Sequence, residues 1–412
     1  MSMPRLPGDV CLPNLKAKPT DMTSPCSFPA LPKRRALDLA IRPTRAEISA
    51  SALVHNLEQV RRWAFPSPVL AVVKANAYGH GAVEVARILE SSGVWGLAVA
   101  LVEEGAELRH AGIQGRIVVM GGAYAGAWPL LLEHKLTPTL FRKEHVQSCG
   151  RLLRSLKRTA QVHVKIDTGM GRNGVALTEL EAFAAELQTW PELQVEGLCT
   201  HLACAEQEGA ELTRLQLERF EKALGRLEQL GIKPAWRHTA NTAATLSIPE
   251  TRDGRIFNLV RPGGAVYGLL PRGWPEVLPL KRVLSWKTGI THLKCLAAGE
   301  SVGYDATWRA KRATKVATLP VGYADGFGRE YSNKGEVLLH GQRAKVIGRV
   351  SMDFCLIDVT EVEDVSVGDE VILLGEEGAQ RLEAHDLAEL ADSLHYEVLC
   401  SIGARVPRIL VE

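Results

Sequence analysis

The residues Val72-Val73-Lys74-Ala75-Asn76-Ala77-Tyr78-Gly79-His80-Gly81 place one amine at the end of an apolar run. Residues 68–73 are too apolar for a half-wetted strand, so they read as a strand buried on both faces, and Gly79 and Gly81 break the chain before a helical pattern. A buried strand that ends in lysine delivers one candidate reactive group. An exposed lysine at a strand terminus is the bland alternative, and Lys74 alone does not separate the two. Four further groups could do chemistry if they met it: the glycine-rich turn Asp167-Thr168-Gly169-Met170-Gly171-Arg172, His201, the pair Asn241-Thr242, and Pro262-Gly263-Gly264.

These groups need a scaffold that brings them together, and the hydrophobic rhythm supplies one. Residues 46–49 read as a short strand, and Ser51 opens a helix with apolar positions at Leu53, Leu57, Val60 and Trp63. Eight strand candidates follow, at 69–74, 95–100, 117–120, 137–141, 162–167, 195–201, 236–240 and 259–266. Helical patterns such as 83–89, 103–111 and 212–230 separate them, which predicts parallel neighbours joined by right-handed crossovers. The fold class is therefore α/β: a (β/α)8 barrel of TIM type, followed by a mostly β C-terminal domain. The β domain is expected from short strands at 288–293, 315–319, 336–339, 344–347, 354–359 and 370–374, with one helix over 384–394. The expected division is a disordered, proline-rich tail over 1–42, the barrel over 43–279 and the β domain over 280–412.

A barrel of this kind puts its working residues at the C-terminal ends of its strands. Lys74 ends the first strand, the 167–172 turn leaves the fifth, His201 ends the sixth, Asn241 and Thr242 follow the seventh, and Gly263 and Gly264 lie late in the eighth. The loops after strands seven and eight are where such barrels bind phosphate through backbone N–H groups. A strand-end lysine, a rim able to hold phosphate and no convincing metal set point to pyridoxal 5'-phosphate, whose aldehyde forms a Schiff base with a lysine amine. Cys199, His201 and Cys204 invite a zinc reading, but no second cysteine pair or histidine cluster has structural zinc spacing, so no metal is expected.

Composition narrows the partners. The chain has 412 residues with 49 basic and 47 acidic side chains, a net charge of +2, so bulk electrostatics favours neither nucleic acid nor an anionic membrane. Eight scattered cysteines lack the spacing of a disulfide scaffold and read as reduced thiols in a cytoplasm. Neither a spanning apolar run nor a signal peptide is legible.

From about residue 42 the chain resembles the alanine racemases. The likeness is carried by residues 73–81, by residues 165–171, by Gly322-Tyr323-Ala324-Asp325-Gly326 and by Arg405-Val406-Pro407-Arg408, all in family order. The resemblance implies a homodimer with shared active sites that interconverts L- and D-alanine for peptidoglycan. It implies that Lys74 holds the cofactor and acts as one acid/base, while Tyr304 from the partner subunit acts on the opposite face. Racemisation needs two such groups, because a single base tends to return the proton to the face it came from.

By the same resemblance, Arg261 faces the pyridine nitrogen, and His201 joins Arg261 in assisting Tyr304. Arg172 orients the cofactor ring oxygen and the substrate carboxylate. Tyr78, Thr242, Gly263, Gly264 and Tyr396 form a phosphate cradle beside Asn241. The Met352 backbone N–H from the partner meets the substrate carboxylate, with Asp353 near the entrance, and Lys165 corresponds to a lysine that can be carbamylated. Four positions depart from the family pattern: Asp305, where glycine is common; Phe354, where glutamine is common; Asn173, where an aliphatic residue is usual; and Gly264, where a larger apolar residue often lies. Asp305 is expected to oppose ionisation of Tyr304, and Gly264 to widen the pocket.

Alternative functions are a racemase of broader or different taste, such as serine, a barrel-type amino-acid decarboxylase, and a non-catalytic pyridoxal phosphate carrier. A decarboxylase benefits from a stronger electron sink than Arg261 allows. Carriers resemble only the barrel and have no use for the β domain or Tyr304.

Overall fold

The computed structural model describes residues 41–124, 126–207, 209–271, 274 and 278–412, within a compact unit spanning Ala40–Glu412. The tail expected over 1–42 lies, up to residue 40, outside the described residues. The first strand, β1 (Arg45–Ser49), runs straight into the helix Ala50–Ala64, because the Ser49 hydroxyl accepts from the Ala52 N–H and caps it. Leu53, Leu57, Val60 and Ala64 are all buried along one face of that helix.

The barrel strands are β2 (Leu70–Val72), β3 (Gly96–Val99), β4 (Ile117–Val119), β5 (Thr137–Leu140), β6 (Ala160–Asp167), β8 (Leu193–Cys199) and β9 (Trp236–His238), hydrogen-bonded in that order. Each neighbouring pair is parallel. A two-residue strand, β7 (Val175–Ala176), pairs with β6 off this path. The eighth stave is 258–262: Asn258 N–H donates to Arg237 O and Arg261 N–H to Ala240 O on one side, while Leu70 N–H donates to Val260 O and Val72 N–H to Pro262 O on the other. With Val69 bridged in parallel to Val260, the ring closes. The period of two then sorts the side chains. Leu70, Val72, Ala98, Val118 and Leu259 pack together in one cluster, whereas Ala71, Val73, Leu97, Val99, Ile117 and Val119 join the larger core that includes the helices.

Several strands end earlier than their apolar runs suggest. The first stops at Val72, and Lys74 opens a tight turn. The sixth is Leu193–Cys199, so His201 lies two residues past its end. The eighth stops at Pro262, because Gly264–Tyr267 winds into a 3-10 turn instead of continuing the strand.

The β domain comprises β10 (Leu284–Gly289), β11 (His292–Leu296), β12 (Ser301–Val302), β13 (Trp308–Arg309), β14 (Thr314–Leu319), β15 (Glu336–Leu339), β16 (Gln342–Ile347), β17 (Cys355–Asp358), β18 (Glu370–Glu377), β19 (Gln380–Leu382) and β20 (Arg408–Val411). The span 288–293, expected as one strand, crosses the turn between β10 and β11. The main sheet runs β11-β14-β17-β16-β15-β18-β10-β1-β20. Its member β1 precedes the barrel in the chain, yet it lies antiparallel to β10 and parallel to β20. The helix His395–Ser401 leads into β20, and Arg408 reaches back to donate to the Gly79 carbonyl at 2.8 Å.

Candidate active site

A cavity of about 670 Å³ opens at the C-terminal end of the barrel strands. It is lined by Lys74, Tyr78, Lys165, Arg172, His201, Asn241, Thr242, Arg261, Gly263, Gly264 and Tyr396, whereas Asp167–Gly171, Cys204 and Pro262 are not among the lining residues. Among the described residues no cluster of three or more His, Cys, Asp or Glu could hold a metal ion.

Lys74 is presented by an unusual turn. Residues 75–78 all have φ of 52–54°, a left-handed conformation that side chains other than glycine rarely adopt, and none of the four is glycine. Glu104 holds this turn: its carboxylate accepts from the N–H groups of Ala75 at 2.6 Å, Ala100 at 2.8 Å and Leu101 at 3.0 Å. It thus ties the loop after β2 to the start of the helix after β3. Asn76 Oδ1 accepts from Ala82 N–H at 2.7 Å and fixes the exit. Gly79 is required, since a Cβ there would lie 2.1 Å from the Leu399 carbonyl oxygen. Burial, and then the positive charge of Arg172, lower the Lys74 amine below its ordinary range.

Gly263 and Gly264 floor one side of the cavity. A Cβ on Gly263 would sit 2.4 Å from the Tyr78 hydroxyl oxygen, and one on Gly264 would sit 2.4 Å from that of Tyr396. Two phenols therefore converge on two side-chain-free backbone positions. The room expected from Gly264 is taken by Tyr396, so the pocket is not widened there. Thr242 Oγ1 accepts from Gly263 and Ala265 N–H at 3.2 Å each, which leaves its own hydroxyl proton free to donate. Asn241 caps the helix Thr242–Ser247 by accepting from Ala244 N–H. Burial raises the Tyr396 phenol to about 12 and that of Tyr78 higher still, so both remain protonated donors. Clustered N–H and O–H donors of this kind fit a phosphate group.

Arg261 also lines the cavity and is buried. Its Nη1 donates to His238 Nδ1 at 2.6 Å and its Nη2 to the Thr200 carbonyl at 3.0 Å and His201 Nδ1 at 3.2 Å. Its Nε–H has no partner among the described residues, and it suits an acceptor such as a pyridine nitrogen. Burial, and then Arg261, push the His201 ring down to about 3, so His201 is neutral. With its Nδ1 accepting from a donor-only guanidinium, its proton sits on Nε2. His201 therefore offers a donor and no charge.

Lys165 is buried, and desolvation lowers its amine to about 8. Its Nζ donates to Asn173 Oδ1, so the departure at 173 places an amide directly on this lysine. Arg172 has no side-chain hydrogen bond among the described residues and faces the cavity with its donors unspent.

Tyr304 and Met352 are not among the lining residues. Both belong to the β domain and both are exposed, at 67% and 52%. The Met352 loop is held by Tyr323 and Ala324, whose N–H groups donate to the Ser351 and Met352 carbonyls. Gly322 is needed for this close approach, since a Cβ there would meet the Ser351 oxygen at 2.2 Å. Asp325 is buried and forms a two-pronged ion pair with Arg42 at 2.8–2.9 Å. Asp305 adopts φ of 60°, which explains the family's glycine there, and its carboxylate bonds Arg349 at 2.7 Å. Asp353 pairs with Arg405 at 2.7 Å, and Phe354 is exposed. Sequence reasoning overlooked Glu104, although its place three residues after the helix cap is a recognisable signal, and it passed over His238 and His163 behind Arg261.

Family models for the alanine racemase N-terminal and C-terminal domains match residues 48–271 and 283–410. An alanine racemase of Halothermothrix orenii is 43% identical over 369 residues, which cover 89% of this chain and 96% of that protein. One from Symbiobacterium thermophilum is 43% identical over 371 residues, covering 89% and 97%. Among solved structures, alanine racemase from D-cycloserine-producing Streptomyces lavendulae superposes with a TM-score of 0.84 at 36% identity, over 90% of this chain and 97% of that one. Alanine racemase from Bartonella henselae, with covalently bound pyridoxal phosphate, superposes with a TM-score of 0.80 at 27% identity, over 90% and 99%.

Proposed function

Since this chain belongs to the alanine racemase family and is a pyridoxal phosphate-dependent amino-acid racemase, we propose that it interconverts L- and D-alanine with two protein bases. The bases are Lys74 and the partner subunit's Tyr304, and the product is D-alanine for peptidoglycan in the cytoplasm. The observation that carries this reading is one cavity that unites the Lys74 amine, the donor-rich floor at Gly263 and Gly264, and the unspent Nε–H of Arg261.

Pyridoxal phosphate, when bound, draws electron density away from the substrate Cα and so makes its proton removable. Tyr78, Tyr396, the Thr242 hydroxyl and the Gly264 N–H would hold its phosphate by donating hydrogen bonds, with Gly263, its own N–H spent on Thr242, leaving room for the group. Arg261 would offer Nε–H to the ring nitrogen without releasing a proton, because a guanidinium stays protonated in this range. Arg172 and the partner subunit's Met352 N–H bind and orient the substrate carboxylate. Lys74, its amine lowered by burial, takes or returns the Cα proton on one face, and Tyr304 serves the other. Enantiomers have equal free energy in water, so these groups set rates and leave the equilibrium constant at one.

Two features support a shared site: Tyr304 and Met352 are exposed, and the Met352 N–H is unspent among the described residues. Lys165 is a site for carbamylation, because a lowered amine adds carbon dioxide and loses one proton to become an anion beside Arg172. Intact mass analysis that finds only free amine removes this step.

The deciding experiment supplies L-alanine and L-serine separately and resolves the products on a chiral column. D-alanine is expected from wild type and from neither Lys74→Ala nor Tyr304→Phe. Mixing and reassociating the two variants should restore about a quarter of wild-type activity, since half the dimers then carry one complete site. Preference for L-serine would favour a serine racemase of the same family. Absence of D-product from both substrates would favour a non-catalytic carrier.

A further inference from the structure

Behind Arg261 lies a buried file of side chains that the proposed chemistry does not use. His238, on β9, accepts from Arg261 Nη1 at its Nδ1 at a separation of 2.6 Å. Its Nε2 lies 2.8 Å from His163 Nδ1, on β6. His163 Nε2 in turn faces Glu196 Oε1, on β8, at 3.5 Å, an electrostatic contact in which neither atom is hydrogen-bonded among the described residues, and Glu196 Oε2 lies 3.7 Å from Arg116 Nη1. Both histidines are buried, and the Arg116 side chain is 42% exposed and stacks on Trp95. The file therefore runs from the cavity through the barrel interior to a half-exposed arginine.

The backbone is arranged to admit it. The β6–β8 ladder shifts register between Val162 and His163, and His163 is paired with Gly197. A Cβ at Gly197 would lie 2.6 Å from the His163 ring, so only glycine leaves room for the imidazole.

Donor chemistry gives the file a direction. A guanidinium donates and never accepts, so His238 Nδ1 must be bare and its proton must sit on Nε2. That N–H donates to His163 Nδ1, which places the second proton on His163 Nε2, facing the carboxylate. The opposite tautomer of His238 would set two N–H groups against each other at 2.6 Å. Burial lowers the His163 ring and holds the His238 ring well below its ordinary range, which disfavours the second proton that would break the order.

We propose that His238 and His163, with the Glu196 carboxylate facing the far end, form a one-way hydrogen-bond relay that aims Arg261 at the cofactor's ring nitrogen, which makes His163 a positioning residue for that contact. This rests on the reading that the cavity binds pyridoxal phosphate. Outer partners of a binding group act by fixing its orientation and tautomer, as they do around metal-bound imidazoles. Loss of His163 leaves the His238 N–H without an acceptor, frees that ring to exchange tautomers and lets Arg261 swing from its place.

The test uses the holoenzyme labelled with 15N-histidine. Both rings should resonate as the Nε2–H tautomer with bare Nδ1. In His163→Leu, pyridoxamine phosphate formed per racemisation turnover should rise about tenfold, with loss of the single His238 tautomer. His163→Asn, which restores an acceptor near the Nδ1 position, should recover most of the wild-type partition. A His238 protonated at Nδ1 in wild type overturns the proposal, as does a folded His163→Leu that keeps both the wild-type partition and the wild-type tautomer. Should His163→Leu fail to fold, the wild-type tautomers decide alone. Expected tautomers in a protein that makes no D-alanine would fault the assigned activity and leave the relay standing.

Discussion

Replacing Glu104 with alanine tests how the reactive lysine is held. Four left-handed residues at 75–78 store about 4–8 kcal/mol, at roughly 1–2 kcal/mol each. The Glu104 carboxylate accepts three backbone N–H bonds, and hydrogen bonds to a charged acceptor contribute roughly 1.5–3 kcal/mol apiece. Glu104 is only partly buried and water competes for it, so the lower figure applies, or about 4.5 kcal/mol in all. Removing the carboxylate withdraws support of the same size as the lower bound of the strain while leaving the strain in place. The fraction of molecules with Lys74 correctly presented falls, and the apparent dissociation constant for pyridoxal phosphate rises in inverse proportion, by about tenfold or more. Glu104→Gln should fall between, because its amide keeps one accepting oxygen and turns an NH2 towards a backbone donor. Fluorescence titration of the apoprotein measures the affinity, and hydrogen exchange of residues 74–81 reports the turn itself. An affinity within about twofold of wild type, with unchanged exchange in the turn, would refute the assignment of Glu104 as its anchor.

Gly263→Ala places a methyl group 2.4 Å from the Tyr78 hydroxyl and should weaken cofactor binding about tenfold, as overpacking does, checked by the same titration. Arg261→Glu gives the ring nitrogen a partner that can yield a proton and should raise the share of pyridoxamine phosphate formed; an unchanged product partition counts against the role given to Arg261. Acid should destabilise the fold early. Burial is the leading cause that lowers His80, His145 and His395 to about 4 and His201 to about 3, from an ordinary 6.5. Between those values the unfolded chain binds more protons than the folded one, so stability is lost as pH falls from 6.5 towards 4. Scanning calorimetry should find a melting temperature that drops through this window, and a flat profile from neutral pH to about pH 5 would contradict the burial of these rings as neutral imidazoles.

Chain order and strand period were enough to anticipate which barrel residues share the cavity, because C-terminal strand ends of a parallel barrel face one way. Lys74, Arg172, His201, Thr242 and Gly263 were legible for that reason. Strand ends were less so: Pro262 and the 3-10 turn at Gly264–Tyr267 cut short an apolar run that reads as one strand. The local part of Glu104's role, its bonds to Ala100 and Leu101, carries a cap signal in the sequence, whereas its bond to Ala75 crosses to the preceding βα loop, a contact that local patterning does not encode. His163 and His238 were missed because an inward-facing histidine in a barrel strand looks like any core residue until its neighbour is known. Asn173 was visible as a departure from pattern, but its meeting with Lys165 depends on the folded turn.

The strand Arg45–Ser49 sits between Leu284–Gly289 and Arg408–Val411, with Ala46 paired to Arg408. A nascent chain therefore emerges with a hydrogen-bonding edge whose second neighbour lies far along the chain, at Arg408–Val411. Until that neighbour pairs, Ala46 and Ile48, fully packed in the finished molecule, remain open to any passing strand. Deleting residues 408–412 would leave that edge permanently unpaired, and the 45–49 strand would become the aggregation hazard.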